Sequence, residues 1–254
     1  MHRKPRLRLT RRGYAVLATL IALLIAVPVA ATAHTSATIP ADITRAPRKI
    51  LANCSGTLGD WTVLAHANFG DLTDADGDPQ ADVVIVGDSI TTRGYDQLGT
   101  WLAARGETLA GSYWSGRPTT PAVDWALSLT TKPKVLVMAS GTNDIYNPAV
   151  MLAQVKRLKA WADTAPVTRL IWVDTFVQRP GNEECSLRNS GWVNNQIRDG
   201  MAGGEVCSWW YGFAQDPNRV GNYLEPADGT HQIDGPGGGV GTNYWAAVVG
   251  GCIL

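Results

Sequence analysis

Ser89, Asn143, Asp228 and His231 are the residues of this sequence whose types could do chemistry together. A serine hydroxyl is a poor nucleophile until a base takes its proton. Beyond the N-terminal segment described below, the histidines are His34, His66 and His231. His34 lies in a tether, and His66 lies in a lead-in segment where a packed or surface histidine is the plainer reading. His231 closes the run Asp228-Gly229-Thr230-His231, so a carboxylate three residues away can reach the imidazole within one turn. Serine, imidazole and carboxylate are the set that nucleophilic acyl chemistry requires, and their chain order is free to vary. Each residue also has a plain alternative: Ser89 as the cap of a helix, Asn143 as a turn former.

The elements that must hold these groups follow from hydrophobic patterning. "VVIVGDSITTRG", residues 83 to 94, begins with a β-branched apolar run and delivers Ser89 just past its end. Such a run reads as a strand buried on both faces. "KVLVMA", Lys134 to Ala139, is a second buried strand, and "SGTND", Ser140 to Asp144, follows it directly. "RLIWV", Arg169 to Val173, is a third, and "VCSWWY", Val206 to Tyr211, is the last; Thr108 to Tyr113 is a weaker one. Helical signals lie between them. Leu98 to Ala104 is one. Asn147-Pro148 opens another, with Met151, Val155, Leu158 and Ala162 on one face. Val193, Ile197 and Met201 mark a third, and Thr242 to Val249 a terminal one. Alternation of this kind predicts an α/β fold with a parallel sheet covered on both sides. Sites in such sheets form beyond the carboxyl ends of strands, where Ser89 and Asn143 both fall.

The chain has 254 residues, 45 % hydrophobic and 17 % charged, which suits a globular protein. Its first 33 residues read as a secretory signal. A basic head (Arg3, Lys4, Arg6, Arg8, Arg11, Arg12) precedes an apolar stretch and Ala31-Thr32-Ala33 offers a cleavage site. Arg11-Arg12 also resembles a twin-arginine signal, and an uncleaved anchor is the alternative to cleavage. Residues 34–50 read as a tether, and residues 51–254 as one domain whose residues 51–80 are a lead-in. Six of the 22 basic residues lie in the signal, leaving 16 against 22 acidic and a net charge of −6. No clustered Lys and Arg suggests a nucleic-acid partner. The expected location is outside the cytoplasm, with membrane contact only through the export signal and a monomeric chain. Four cysteines in an exported protein imply disulfides. A local loop favours Cys185–Cys207, which leaves Cys54–Cys252 to tie the ends of the domain.

Gly87-Asp88-Ser89, a glycine in "SYWSGRPT", Gly141-Thr142-Asn143-Asp144 and Asp228-Gly-Thr-His231 together resemble the four blocks of the SGNH (GDSL-type) hydrolases, in that family's order. The resemblance covers about residues 81 to 254. It implies a three-layer α/β/α sandwich, flavodoxin-like, with a shallow open site and no cofactor or metal. It implies Ser89 as nucleophile, His231 as general base and Asp228 as the group that orients the imidazole. The oxyanion donors would be the N–H groups of Ser89 and Gly116 and the Asn143 side chain, with Gly111 the alternative glycine. The implied function is an exported serine esterase that removes acyl groups, acetyl among them, from a carbohydrate or lipid. An O-acyltransferase that passes the acyl group to an envelope glycan, and a non-catalytic envelope-binding module, are the alternatives.

Weaker signals complete the sequence. Asp74, Asp76, Asp78 and Asp82 have calcium-loop spacing, but the glycine position holds Pro79, and a solvated acidic loop is the favoured reading. No GxSxG, Walker A or GxGxxG motif is present, and Gly235 to Gly241 reads as a flexible loop. Trp101, Trp161 and Trp172 are expected in the core, Trp114 near the site, and Trp209 and Trp210 on opposite faces of a strand.

Overall fold

Five segments become the parallel strands of one sheet, and the apolar runs Val83–Gly87, Val135–Ala139 and Arg169–Val173 bury both of their faces between two helical layers. A computed structural model describes residues 60–64, 66–69, 82–130, 132–164, 169–209, 212–213 and 218–254, all within the unit Pro40–Leu254. The strands are β1 (His66–Phe69), β2 (Val83–Gly87), β3 (Leu109–Trp114), β4 (Val135–Ala139), β5 (Arg169–Val173) and β6 (Glu205–Cys207). Their order is β1-β3-β2-β4-β5-β6. All pairings are parallel except β1 with β3, an antiparallel edge added by the lead-in segment. The signal, the tether, Cys54, and Asp74, Asp76 and Asp78 of the acidic loop lie outside the described residues. Among the described residues no helix is long and apolar enough to cross a membrane.

The helices are α1 (Ser89–Ala103), α2 (Thr119–Leu127), α3 (Met151–Thr164), α4 (Glu183–Met201), α5 (Asn218–Tyr223) and α6 (Val240–Ile253). Strand alternation divides the core in two. Val84, Val86, Leu136, Met138, Leu170 and Trp172 face α2, α3 and α4. Val83, Ile85, Val137, Ile171 and Val173 face α1 and α6. The fold is therefore a three-layer α/β/α sandwich. Both β3 and β4 flank β2, so the connections leaving β2 and β3 carry the chain to opposite sides of it. That is the topological switch point where open α/β sheets bind ligands.

The cysteines pair differently from the sequence expectation. Cys207 is bonded to Cys252, with Cα atoms 5.8 Å apart, so neither Cys185–Cys207 nor Cys54–Cys252 forms. The reason is the period-two alternation of β6. It turns Cys207 to the face covered by α1 and α6, beside Val249 and Ile253, while α4, which begins at Glu183 and carries Cys185, covers the other face with Val193 and Ile197. Sequence proximity could not reveal which face each cysteine takes. Cys185 is itself disulfide-bonded, not a free thiol.

The tryptophans divide as their elements dictate. Trp172 is fully buried and donates Nε1–H to Ser140 O at 3.0 Å. Trp209 is buried, beyond the end of β6, which stops at Cys207. Trp101 and Trp161 are half-buried at the edges of the two core layers.

Candidate active site

The turn at the tip of β2 is set by close packing. Gly87 ends the strand, and a Cβ there would lie 1.8 Å from Thr91 Oγ1 in the first turn of α1. Asp88 caps α1, its Oδ1 accepting the Ile90 N–H at 3.0 Å. Ser89 is thus not the cap but the first helical residue. Helix geometry offers its N–H no intrahelical acceptor, and the cap takes the next one along. The positive end of the helix dipole also lies there, which favours a negative charge beside Ser89.

His231 Nε2 lies 2.8 Å from Ser89 Oγ, and His231 Nδ1 lies 2.7 Å from Asp228 Oδ2. The loop that brings them is built on the same carboxylate. Asp228 Oδ1 accepts the N–H of Thr230 at 2.8 Å and of His231 at 2.9 Å. Partial burial opposes ionisation of Asp228, but these N–H groups and the imidazole hold its carboxyl below the usual range. It therefore stays ionised at neutral pH and faces the Nδ1 side of the ring. Gly229 makes the turn possible. Its φ is +58°, and a Cβ would stand 1.9 Å from Gln178 O, while Gln178 N–H donates to Gly229 O at 2.9 Å. The His231 loop is so fastened to the segment after β5.

Asn143 lies in a 3₁₀ turn, Thr142–Tyr146, immediately after β4. It is buried, and its Nδ2 donates to Arg117 O at 3.2 Å. The amide nitrogen has a second N–H, which this bond does not use. Asp144 Oδ2 accepts the Thr119 N–H at 3.0 Å and the Thr119 hydroxyl at 2.7 Å, tying the turn to the start of α2. Gly116 lies in the turn after β3 at φ +77°, against Trp61 and Leu64. Gly111 instead sits within β3, paired with Ile85, where a Cβ would meet Ile85 O at 2.5 Å. Of the two glycines, Gly116 lies beyond the strand end and Gly111 is a packing position.

Arg117 joins these loops and was not singled out by sequence reasoning. It is buried, with Nη2 donating to Gly87 O at 2.7 Å and Ser112 O at 2.6 Å, and Nη1 to Ser112 Oγ at 3.0 Å. It thus clamps the tip of β2 to β3 beneath the site. Burial pulls its guanidinium down to about 10, opposed by nearby Asp88. No motif in the sequence points to it. An arginine between a glycine and a proline reads as surface, and only the fold buries it.

Burial pushes the Asp88 carboxyl up to about 7; the Ile90 N–H and Arg117 oppose this, and Asp144 adds to it. Between the ordinary carboxylate value and about 7, the folded protein holds a proton that the unfolded chain has released. This group therefore favours the unfolded state as pH rises through that window, by up to about 1.4 kcal/mol per pH unit. Asp88→Asn keeps the cap and cannot titrate. Its melting temperature is expected to fall less between pH 5 and pH 8 than the wild type's. Parallel pH–Tm curves for the two proteins would contradict the effect.

His66 stacks on Trp114, ring centroids 4.1 Å apart, with Nδ1 3.3 Å from Leu64 O. Asp82, the one described member of the acidic loop, contacts Lys134 Nζ and the Thr108 hydroxyl, both at 2.8 Å.

No protein-family model matches the chain, nor does any curated protein sequence. Solved structures do. A lipase/acylhydrolase from Enterococcus faecalis superposes with a TM-score of 0.54 at 17 % identity, over 67 % of this chain and 94 % of that one. A mutant acetyl-xylooligosaccharide esterase from Geobacillus gives 0.56 at 12 %, over 68 % and 94 %. The catalytic domain of the peptidoglycan O-acetyltransferase A of Streptococcus pneumoniae gives 0.51 at 14 %, over 68 % and 93 %. The likeness is one of fold: the chain has the α/β/α sandwich that the GDSL-like hydrolases share.

Proposed function

We propose that the protein is an exported serine esterase that cleaves O-acyl esters through an acyl-enzyme intermediate. The observation that carries this is the unbroken relay from Asp228 through His231 to Ser89, with contacts of 2.7 and 2.8 Å, at the amino end of a helix. Ser89 Oγ attacks the acyl carbon while its proton passes to His231 Nε2. The resulting oxyanion takes hydrogen bonds from the N–H groups of Ser89 and Gly116 and from Asn143 Nδ2. Collapse of the adduct expels the alcohol, which leaves with the proton held on Nε2. Water then attacks the acyl carbon as the same nitrogen takes its proton, and the second adduct collapses, releasing the carboxylic acid while that proton passes from Nε2 to Ser89 Oγ. Asp228 stabilises the imidazolium in both halves without accepting its proton.

Export is supported by the Cys207–Cys252 bond, since such links persist in oxidising compartments. The likeness to esterases and to an O-acetyltransferase domain supports ester cleavage, with acyl transfer as the same intermediate met by a sugar hydroxyl. A fluorophosphonate probe is expected to add one phosphonyl group to the peptide that contains Ser89, read by mass spectrometry. No adduct on the folded protein, or an adduct on another serine, would refute the proposal.

A further inference from the structure

A groove of about 600 Å³ runs along α1, in the size range of a ligand site. One wall is a stripe of that helix: Thr92, Asp96, Gln97 and Thr100. These stand three, seven, eight and eleven residues after Ser89, so they continue the face on which Ser89 begins. The stripe extends about 12 Å along the helix axis, at 1.5 Å per residue. The other wall is Asp234 and Gly238, from the loop that leaves His231, and Asn243, from the first turn of α6. The two segments that bear the Ser89 hydroxyl and the His231 imidazole therefore run on into the two walls. The lining stops at Thr92 and Asp234, three residues beyond Ser89 and His231 respectively, so a ligand much longer than the acyl group, with its ester at Ser89, would continue into the groove.

The lining gives the chemistry of that ligand. It is made of hydroxyls, carboxamides, carboxylates and glycine backbone; its one large apolar side chain, Trp101, carries the Arg105 guanidinium 3.5 Å above the ring centroid. Such a surface gains little from an alkyl chain, whose binding depends on apolar area removed from water. Arg93, the one cation of the lining, is held by Glu225 at 3.3 Å and by Gln232 O at 2.9 Å. Arg93 is paired with Glu225, and Asp96 and Asp234 outnumber the Arg105 cation on Trp101, which leaves the local charge negative and disfavours phosphate or uronate groups. Polar acceptors and donors along an elongated trough suit the hydroxyls of a sugar chain.

From this, and resting on the esterase proposal above, we infer that the groove binds the backbone of an O-acylated, uncharged polysaccharide and presents its ester to Ser89. The inference narrows carbohydrate or lipid to carbohydrate, and excludes acidic glycans.

The test compares acetate release from acetylated glucomannan, a neutral polymer, with hydrolysis of p-nitrophenyl acetate, which is too short to enter the groove. The proteins are the wild type, the double variant Asp96→Ala/Gln97→Ala and the blocking variant Thr100→Trp, each checked for an unchanged melting temperature. In both variants kcat/KM on glucomannan is expected to fall about tenfold or more, and on p-nitrophenyl acetate to stay within about twofold. Acetylated polygalacturonate is expected to be a poorer substrate than glucomannan for the wild type. Equal effects of the variants on polymer and small ester would overturn the inference. So would activity on p-nitrophenyl acetate with none on glucomannan, or a preference for p-nitrophenyl palmitate; either result leaves the esterase proposal standing. A wild type inert on every ester removes that proposal and the inference together.

Discussion

Ser89→Ala should lower kcat on p-nitrophenyl acetate by roughly 10⁵–10⁶, leaving only the residual acceleration that binding and oxyanion donors supply. The size follows from the loss of the covalent route. Without Oγ, the 2.8 Å contact with His231 Nε2 has nothing to activate and no acyl-enzyme can form. Folding should be nearly unaffected, because the α1 cap is Asp88 rather than Ser89 and alanine is a good helix former at the first helical position. The melting temperature should therefore stay within about 2–4 °C of the wild type. His231→Ala should cost a similar factor, and the double variant little more than either alone, since the two groups act as one device. Retention of more than about one part in a hundred of kcat by folded Ser89→Ala would remove the serine from the mechanism.

How far the sequence reveals this arrangement depends on where each signal resides. β2, β4 and β5 are legible because a strand buried on both faces must be apolar at successive positions, as Val83 to Val86 are. Gly87 and Asn143 are legible as residues at or just past the ends of such strands, whereas His231 follows α5, not a strand, and is legible only as the histidine three residues after Asp228. α1 is only half legible. Its opening, Ser89 to Gly94, is polar, β-branched and ends in glycine, a composition that reads as a turn. Tertiary packing overrides it: a Cβ on Gly94 would stand 2.3 Å from the Trp245 ring, so close approach of α6 to α1 selects glycine in a helix interior. Asn147-Pro148 is legible as the opening of a helix, yet Asn147 makes no cap hydrogen bond, and Pro148 starts a 3₁₀ turn that leads into α3. β1 escapes notice because its pairing with β3 is a contact between distant segments, not a local pattern. The disulfide and Arg117 fail for the same reason. Their partners are set by the face of the sheet on which each falls, which no spacing along the chain encodes.

Asn143→Ala should reduce kcat by roughly 10²–10³, a loss of about 2.7–4 kcal/mol of transition-state stabilisation, with KM little changed. On the proposed mechanism the side chain serves one task. It is buried at the switch point, its turn is tied to α2 through Asp144 and Thr119, and Nδ2 is steadied by Arg117 O at 3.2 Å. That leaves one N–H of a fixed amide to meet charge that appears only in the tetrahedral adduct. A donor aimed at developing charge stabilises the adduct more than the ground state, so its loss falls on kcat. Loss of the Arg117 bond alone should cost folding about 1 kcal/mol, which thermal unfolding will separate from the kinetic effect. Asn143→Asp sharpens the test. It is isosteric, but it exchanges the donor for a carboxylate facing the oxyanion, and it should turn over more slowly than Asn143→Ala. If the two variants share one kcat, or if Asn143→Ala raises KM without lowering kcat, the side chain binds substrate instead of stabilising the adduct.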